Sequence, residues 1–341
     1  MQIQQRINAI AQLGEVLSEV NSENKNPEIS ELYQLAQAQN GWFTKENIDF
    51  SFKNWSEALT QQNIEQWLST YELTALTDEK TVAIIMAGNI PLVGLHDFIS
   101  VLLSGHKVKA KLSSNDKLLL PFLAKRLCKI EPEFEGYISF TEERLTGFDA
   151  VIATGSNNTA RYFDHYFGKY PNIIRRNRNS VAILDGTESE AQLTQLANDI
   201  FRYYGLGCRN VSKVYLPNDY NFDPFFQAMF SWKQVINEHK YINNYDYNKA
   251  VYLMSLLHIL DNEFLLLKED QGFSSPISVV FYEYYENTAD LKTKLLASED
   301  QIQCVVSQTG IPNEISFGQA QTPELWDYAD GVDTISILQK L

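Results

Sequence analysis

From residue 81 onwards, short apolar runs alternate with stretches of helical length, and this alternation limits the possible folds more than any other feature of the chain. TVAIIMA is a continuous apolar, β-branched run, typical of a strand buried on both faces of a parallel sheet. A helical stretch, LVGLHDFISVLLSG, and a second strand-like run, HKVKAKL, follow it. The same pattern repeats through DKLLLPFLAKRLCKI, EGYISF, FDAVIATGS, NNTARYFDHYFGK and NSVAIL. It predicts right-handed βαβ units, and therefore an α/β fold whose parallel sheet is covered by helices on both faces.

The two ends of the chain differ from this stretch. ISELYQLAQAQ and WSEALTQQNIEQWLSTYELTAL carry apolar residues three to four positions apart, which predicts an N-terminal helical segment that packs on the core or contacts another subunit. Asn54 and Glu57 predict a capping box there. After SEAQLTQLANDIFRYYG, the strand-like runs VSKVYL, SPISVVFYEYY and QCVVSQ and the helical stretches DPFFQAMFSWKQVIN and YNKAVYLMSLLHIL predict a second α/β domain, and the tail fits either domain. The predicted domain boundaries are 1–75, 76–204, 205–325 and 326–341.

The composition argues against several classes of partner. With 28 basic and 43 acidic residues, the chain carries a formal charge of −15, which repels nucleic acid phosphates and anionic lipid. The densest basic stretch, IIRRNRNS, contains Arg175, Arg176 and Arg178; we interpret it as a solvated turn before a strand, with a small anionic ligand as the alternative. No run approaches the roughly 20 apolar residues of a membrane span, and the N-terminus lacks the pattern of a secretory signal. We therefore expect a soluble, cytoplasmic protein with no nucleic acid partner and no membrane span.

The number and spacing of the cysteines argue against a metal site. Cys128, Cys208 and Cys304 are odd in number, far apart and in no metal-ligand spacing, which predicts no metal and fits a reducing compartment. Cys208 follows two glycines in GLGCRN and precedes the strand-like VSKVYL. On its own this stretch leaves two interpretations open: a small core residue, which is the usual role of a free cysteine, or a nucleophile.

Polar and glycine-rich residues follow several predicted strands, at the position where open α/β sheets bind ligands. MAGNIP places an amide side chain after one strand, and KVKAKLSS places two lysines on one face of the next strand with two serines behind them. ATGSNNTARYF places a glycine and a serine at a helix N-terminus, where backbone N–H groups favour an anion. The candidate site residues of these stretches and of GLGCRN are Asn89, Lys109, Lys111, Ser113, Gly155, Ser156 and Cys208.

In this order and separation, the stretches resemble the aldehyde dehydrogenase superfamily and, within it, the fatty acyl-CoA reductase family of bacterial bioluminescence operons. GNIPL stands where those enzymes have a Pro-Trp-Asn-Phe-Pro-Leu-like turn, and KVKAKLSS resembles their Val-Val-Met-Lys-Pro-Ser/Ala strand. VIATGS resembles their Val-x-Phe-Thr-Gly-Ser, GLGCRNVSKVYL their Gly-Gln-x-Cys strand, and KEDQGFSSPISVV their Glu-x-Phe-Gly-Pro segment. The resemblance runs from about Thr81 to Pro276. It implies an aldehyde dehydrogenase-like fold: an N-terminal helical segment, a parallel-sheet dinucleotide-binding domain and a second α/β catalytic domain.

The resemblance also implies roles for individual residues. Cys208 is then the nucleophile that attacks an acyl carbonyl. The side-chain amide of Asn89 and the N–H of Cys208 are then the donors that stabilise the oxyanion. The implied cofactor-binding residues are Lys111 for the adenosine ribose, Ser156 for the pyrophosphate, Glu269 for the nicotinamide ribose, and Lys109, Ser113 and Gly155 beside them.

Two departures from the family pattern refine the expected reaction. Where oxidising aldehyde dehydrogenases carry the glutamate of a Leu-Glu-Leu-Gly-Gly-Lys motif, IIRRNRNS has arginine and asparagine, so attack of water on a thioacyl enzyme should be slow. We therefore predict an acyl-CoA reductase that forms an aldehyde through a thioacyl intermediate. Ser113 and Ser114, next to Lys109 and Lys111, favour NADPH over NADH because lysine and serine bind the extra phosphate, and NADH is the alternative cofactor.

Two other functions stay open at this level. An acyl-phosphate reductase would use the same cysteine, with basic residues such as Arg209 or Arg175 near the leaving group. A non-catalytic nucleotide-binding or interaction protein would keep the fold without a reactive thiol. The acyl chain and head group are not specified by the sequence, which is also compatible with a homodimer.

Overall fold

The computed structural model describes residues 1–22, 27–73 and 78–341. The chain forms two compact units, one of residues 1–176 with 324–341 and the other of residues 177–323. The predicted boundary between residues 75 and 76, and the end of the predicted N-terminal helical stretch, lie outside the described residues. Within the described ranges, no helix has the length and apolar character needed to cross a membrane. No group of three or more His, Cys, Asp or Glu residues in those ranges is arranged to hold a metal ion.

The first unit begins with four helices in the described ranges, and threonines cap the last two of them. Their bounds are α1 Ile3–Ser22, α2 Pro27–Gln39, α3 Lys45–Ala58 and α4 Gln61–Leu68. Thr44 caps α3 and Thr60 caps α4, because each hydroxyl accepts a hydrogen bond from the backbone N–H three residues further on. The predicted capping box of Asn54 and Glu57 is wrong, since both residues lie inside α3 and not at the start of a helix.

A parallel sheet forms the centre of the first unit. Its elements are β1 Thr81–Ile85, α5 Leu95–Leu103, β2 Lys107–Lys111, α6 Leu119–Ile130, β3 Ile138–Thr141, β4 Ala150–Thr154, α7 Asn157–Phe167 and β5 Asn172–Arg175. The five strands have the order β3-β2-β1-β4-β5, and every pair is parallel, which confirms the predicted parallel sheet. The chain runs from the central β1 to β2 on one side and later returns to β4 on the other. The carboxyl ends of β1 and β4 therefore flank the crevice in which open α/β sheets bind ligands.

The basic stretch IIRRNRNS is not the solvated turn that its sequence suggests. Ile173 to Arg175 belong to β5 and pair with β4. Arg175 is buried, because it lies at the carboxyl end of this edge strand and its side chain is paired inside the unit. Arg176 is exposed, as expected of a solvated residue.

The second unit contains a mixed sheet. Its elements are β6 Asn179–Ile183, α8 Glu190–Phe201, β7 Val211–Pro217, α9 Phe222–Met229, α10 His239–Met254, β8 Ile259–Asp261, β9 Leu266–Glu269, β10 Val279–Tyr285, α11 Thr288–Leu296 and β11 Ile302–Val306. The strand order is β11-β6-β7-β10-β9-β8, and only the pair β8–β9 is antiparallel among these strands. YNKAVYLMSLLHIL is not one helix, since α10 ends before its last residues enter β8. The compact units do not follow the predicted boundary near residue 205, because β6 pairs with both β7 and β11 and so belongs with them.

The last segment of the chain packs in the first unit. It ends in α12 Thr334–Leu338. His96 Nε2 is 2.8 Å from the backbone oxygen of Leu325, and His106 Nε2 is 2.9 Å from that of Leu338. In each contact the ring nitrogen donates, because the carbonyl oxygen can only accept. These contacts decide between the two domains that the sequence leaves open for the tail.

Candidate active site

The turn after β1 carries Asn89, the predicted oxyanion donor, and its backbone is held on both sides of that residue. Asn40 Nδ2 donates to the backbone oxygen of Gly88 at 3.2 Å. Ser51 Oγ donates to the backbone oxygen of Pro91 at 3.1 Å. Asn40 follows α2 directly and Ser51 lies in α3, so the N-terminal helices do more than pack on the core. They fix the conformation of the turn that presents Asn89.

The predicted cofactor lysines lie on one face of β2. Lys109 and Lys111 are half-buried and alternate with the buried Val108 and Ala110. Lys109 Nζ donates to the backbone oxygen of Thr146 at 2.6 Å, so a carbonyl of the protein already binds that ammonium group. Lys111 is the last residue of the strand and lies at the ligand-binding edge of the sheet.

Ser113 packs against the turn that carries Asn89. A Cβ atom on Gly88 would lie 2.5 Å from Ser113 Oγ, so only glycine fits at this close approach. Ser113 Oγ accepts a hydrogen bond from the N–H of Asn115 at 3.2 Å, which orders the loop after β2. The structure therefore brings Ser113 and the Asn89 turn together at one edge of the sheet.

Gly155 and Ser156 connect the carboxyl end of β4 to the start of α7. Ser156 is the N-cap residue, and its Oγ accepts a hydrogen bond from the N–H of Thr159 at 3.3 Å. A Cβ atom on Gly155 would lie 3.0 Å from the ring of Phe163, so glycine lets the helix pack closely on the strand. The first N–H groups of a helix have no acceptor within the helix, and they carry its positive dipole end. This turn has the composition and the position of a phosphate cradle.

The residues at this edge fit a dinucleotide cofactor. The helix N-terminus after Ser156 suits a pyrophosphate, and the ammonium group of Lys111 suits a phosphate or a ribose hydroxyl. Gly88 and Gly155 both stand where a side chain would contact its neighbours at 3.0 Å or less. The observed backbone depends on glycine at Gly88, whereas at Gly155 a side chain would require Phe163 and Thr159 to shift by a few tenths of an ångström.

Cys208 lies in the second unit, at the tip of a tight turn that leads into β7. The N–H of Asn210 donates to the backbone oxygen of Gly207 at 3.0 Å, and the N–H of Gly207 donates to Asn210 Oδ1 at 2.8 Å. Ser180 Oγ donates to the backbone oxygen of Cys208 at 3.0 Å, which ties the turn to β6. The side chain of Cys208 is exposed, and this excludes the alternative role of a small core residue.

Glu269, the predicted nicotinamide-ribose residue, is an exposed residue at the carboxyl end of β9. It pairs in register with Tyr282 of β10, which in turn pairs with Val214 in the middle of β7. Cys208 precedes the amino end of β7. The structure therefore places Glu269 and Cys208 at different levels of the second sheet, and the role of Glu269 stays a prediction.

Arg175, an arginine that the sequence offers for an anionic ligand or leaving group, is committed to the interior of the first unit. Its Nη1 pairs with Asp97 of α5, and its Nη2 donates to Thr334 Oγ1 at 3.1 Å. Side-chain exposure is 6% for Arg175 and 7% for Asp97. The structure thus assigns Arg175 to an internal ion pair that joins α5, β5 and α12, and not to a ligand.

The sequence prediction missed a buried aspartate that supports the Cys208 turn. Asp199, near the end of α8, accepts hydrogen bonds from the N–H groups of Gly318 at 2.6 Å and Ala320 at 3.0 Å. Burial raises the pKa of Asp199 to about 7. Arg209 Nε donates to the backbone oxygen of Ala320 at 2.6 Å, so the residue next to Cys208 holds the same loop. The only sequence signal is a carboxylate among the apolar positions of LANDIF, which the helical pattern alone does not explain.

Solved aldehyde dehydrogenases share this fold at low sequence identity. Aldehyde dehydrogenase C of Pseudomonas syringae, solved with NAD+ and octanal, gives a TM-score of 0.65 at 11% identity over 90% of this chain and 73% of that one. Aldehyde dehydrogenase 21 of Physcomitrella patens, solved with succinate, gives 0.64 at 13% identity over 86% and 71%. The Mycobacterium tuberculosis enzyme, solved with NAD+, gives 0.64 at 14% identity over 93% and 79%. The fold is therefore that of the aldehyde dehydrogenases, as the sequence resemblance implied.

A family model places the chain more narrowly. The acyl-CoA reductase (LuxC) family model matches residues 2–230, and the chain belongs to this family. Long-chain acyl-protein thioester reductase 2 of Photobacterium leiognathi is 24% identical over 194 residues, which cover 52% of this chain and 40% of that protein. Long-chain acyl-protein thioester reductase of Photorhabdus laumondii is 22% identical over 169 residues, which cover 45% and 35%. Each match therefore covers less than half of the relative's own length.

Proposed function

We propose that the protein reduces an acyl thioester to an aldehyde through a thioacyl intermediate on Cys208. The observation that carries the proposal is the exposed Cys208 side chain at the tip of the Gly207–Asn210 turn. Membership of the acyl-CoA reductase family supports the choice of substrate class. We propose acyl-CoA as the substrate; the same acyl group on a carrier protein is the nearest alternative, since the two relatives are named for acyl-protein thioesters.

The proposed reaction has two steps, acylation of Cys208 Sγ and reduction of the acyl group bound to it. Cys208 Sγ, as the thiolate, attacks the acyl carbon, and a new carbon–sulfur bond forms. The bond to the departing thiol breaks, and that thiol leaves with the electron pair and takes a proton from solvent. A nicotinamide cofactor, held by Lys111 and the start of α7, would supply the hydride that the second step requires. Cys208 Sγ would then leave the acyl carbon with its electron pair, and the aldehyde would be released.

The protein's own residues would stabilise charge and bind the cofactor. The N–H of Cys208 lies in the turn beside the reacting sulfur, and we propose it as one donor to the oxyanion, with the side chain of Asn89 as the second. We propose that Ser156 and the start of α7 bind the pyrophosphate and that Lys111 binds the adenosine ribose. Lys111 and Ser113 also support our choice of NADPH, because an ammonium and a hydroxyl suit a ribose phosphate. Gly155 has no side chain and so lets the start of α7 pack closely against the end of β4.

Mass spectrometry of the intact protein tests this function. After incubation with acyl-CoA of several chain lengths, and with one acyl chain on a carrier protein, we expect one added acyl mass. The mass should appear in the wild type and in Cys128→Ala, a matched cysteine variant of the first unit, and not in Cys208→Ala. Added NADPH should discharge it as aldehyde.

The same experiment tests the reaction against its rivals. General-base assistance contributes about 10²–10⁴-fold, so without the glutamate of the oxidising enzymes the acyl-enzyme should persist when no reductant is present. Rapid release of free fatty acid would contradict a reductase. Acylation by acyl phosphate alone would identify the other covalent reaction, and no acyl mass from any donor would refute covalent catalysis at Cys208. A cytoplasmic location and a homodimer stay predictions.

A further inference from the structure

The backbone just before the Cys208 turn is left-handed over three consecutive residues. Tyr203 has a φ of 53°, Tyr204 a φ of 57° and Gly205 a φ of 77°. In a side-chain-bearing residue this conformation brings Cβ too close to the following carbonyl oxygen, so residues other than glycine adopt it rarely. Two adjacent tyrosines in this region need support from the surrounding structure.

Asn210 supplies that support, although it follows Cys208 in the sequence and the two tyrosines precede it. Its side chain is buried, with 2% exposure. Nδ2 donates to the backbone oxygens of Arg202 at 2.7 Å, Asp199 at 3.0 Å and Ile200 at 3.3 Å. These carbonyls lie at the end of α8, where a helix leaves its last oxygens without partners of its own. One side chain therefore closes the helix end that leads into the left-handed residues.

The same side chain also shapes the turn that carries the thiol. Asn210 Oδ1 accepts from the N–H of Gly207 at 2.8 Å, while the N–H of Asn210 closes the turn onto Gly207. Both ends of the amide are thus used, one on each side of the segment from Tyr203 to Leu206. Loss of the amide would remove both contacts together, the one at the end of α8 and the one at Gly207.

We propose that Asn210 is a positioning residue for the Cys208 nucleophile. It acts by holding the end of α8 and the turn at a fixed separation, so that the sulfur and the N–H of Cys208 face the same carbonyl group. The proposal rests on the proposed function only in taking Cys208 as the nucleophile. Acyl transfer needs the sulfur and the oxyanion donor in register, whereas alkylation by iodoacetamide needs only an accessible thiolate. The two reactions should therefore respond differently to Asn210.

Asn210→Ala and Asn210→Asp test the proposal against a matched control. Asn210→Asp keeps an oxygen for the N–H of Gly207 and removes the donors to the end of α8. The control is Asn262→Ala: Asn262 is buried in the same unit, and its Oδ1 accepts from the N–H of Leu265 at 2.8 Å in a turn whose Glu263 has a φ of 76°. Single-turnover acylation should fall roughly 10–100-fold in both Asn210 variants, because small misplacement of reacting groups costs about that much. Alkylation of Cys208 should change less than about threefold, KM for the thioester should change little, and the control should keep near wild-type acylation.

A rescue experiment separates positioning from general support of the fold. In the Asn210→Asp background, Tyr204→Gly removes the Cβ that disfavours the left-handed backbone, and acylation should recover by about fivefold or more. Acylation by Asn210→Asp within threefold of wild type, a fall equal to that of Asn262→Ala, or the absence of any rescue would overturn the proposal. Failure of the proposed function gives a different result, since the wild type would then show no acylation of Cys208 while alkylation remained.

Discussion

The buried pair of Asp97 and Arg175 gives the sharpest test of how the first unit is held together. The two side chains are 7% and 6% exposed. Asp97 lies in the first turn of α5, where the helix dipole also favours a carboxylate. Asp97→Asn removes the negative charge at almost constant volume and leaves the guanidinium of Arg175 buried without its counter-ion.

The expected loss of stability follows from this geometry. Removing one partner of a buried ion pair costs about 3–5 kcal/mol, because the remaining charge cannot return to water. Arg175 keeps its hydrogen bond to Thr334 at 3.1 Å, and the introduced amide oxygen still accepts, so we expect the lower end of that range, about 3 kcal/mol. Adding Arg175→Leu to Asp97→Asn removes the stranded charge, and the double variant should be more stable than Asp97→Asn alone.

Urea unfolding followed by tryptophan fluorescence measures this loss. Four of the five tryptophans lie in the first unit: Trp42, Trp55, Trp67 and Trp326. The matched control is Asp164→Asn, which breaks the neighbouring but exposed pair with Arg176, whose side chains are 47% and 63% exposed. That change should cost at most about 1 kcal/mol. A loss for Asp97→Asn below about 1 kcal/mol, or equal to that of Asp164→Asn, would refute the assignment of Arg175 to the core.

Three further predictions concern the site and the pH dependence of the fold. Asn89→Ala should lower turnover roughly 10²-fold with little change in cofactor affinity, as expected for a donor to the oxyanion, and steady-state kinetics would show an unchanged rate with a raised KM if Asn89 instead binds substrate. NADPH should bind more tightly than NADH in fluorescence titrations, and the preference should shrink more in Lys111→Ala than in Lys109→Ala, because a backbone carbonyl already binds Lys109; equal affinities in the wild type would contradict this. Burial lowers the pKa of His106, so the unfolded chain takes up a proton at this residue more readily than the folded one, and the stability that His106 contributes should be lost as the pH falls through the ordinary range of histidine. The raised pKa of Asp199 acts in the opposite direction over the same range, so the measurement is the difference between wild type and His106→Gln: from about pH 8 to pH 5, the urea midpoint of the wild type should fall relative to that of the variant.

Much of the first sheet could be predicted from the sequence because its signals are local. Continuous apolar runs such as TVAIIMA, which contains β1, define buried strands, and their order along the chain sets the edge at which the site residues lie. β5 was not predicted because two consecutive arginines, Arg175 and Arg176, are typical of a solvated turn. Asp97, which pairs with Arg175, is far away in the sequence, so the sequence pattern gives no sign that Arg175 is buried. The compact units divide before β6, and this division depends on the pairing of β6 with β7 and β11, which the sequence pattern does not give.

The candidate nucleophile shows where local reasoning reaches its limit. The resemblance that singles out Cys208 rests on its neighbours in sequence, and glycines beside it suggest a turn. The segment that leads into that turn contains two tyrosines with left-handed backbone angles. Side chains disfavour these angles, so residue propensities would not predict this conformation. The compensating interaction comes from Asn210, whose amide reaches back to the end of α8. Other left-handed residues, such as Glu263, lie in turns away from the candidate site, so strain alone does not mark a functional residue. What singles out the segment before Cys208 is that one amide, from Asn210, bonds both the end of α8 and the turn that carries the thiol, and this combination of contacts has no signature in the sequence.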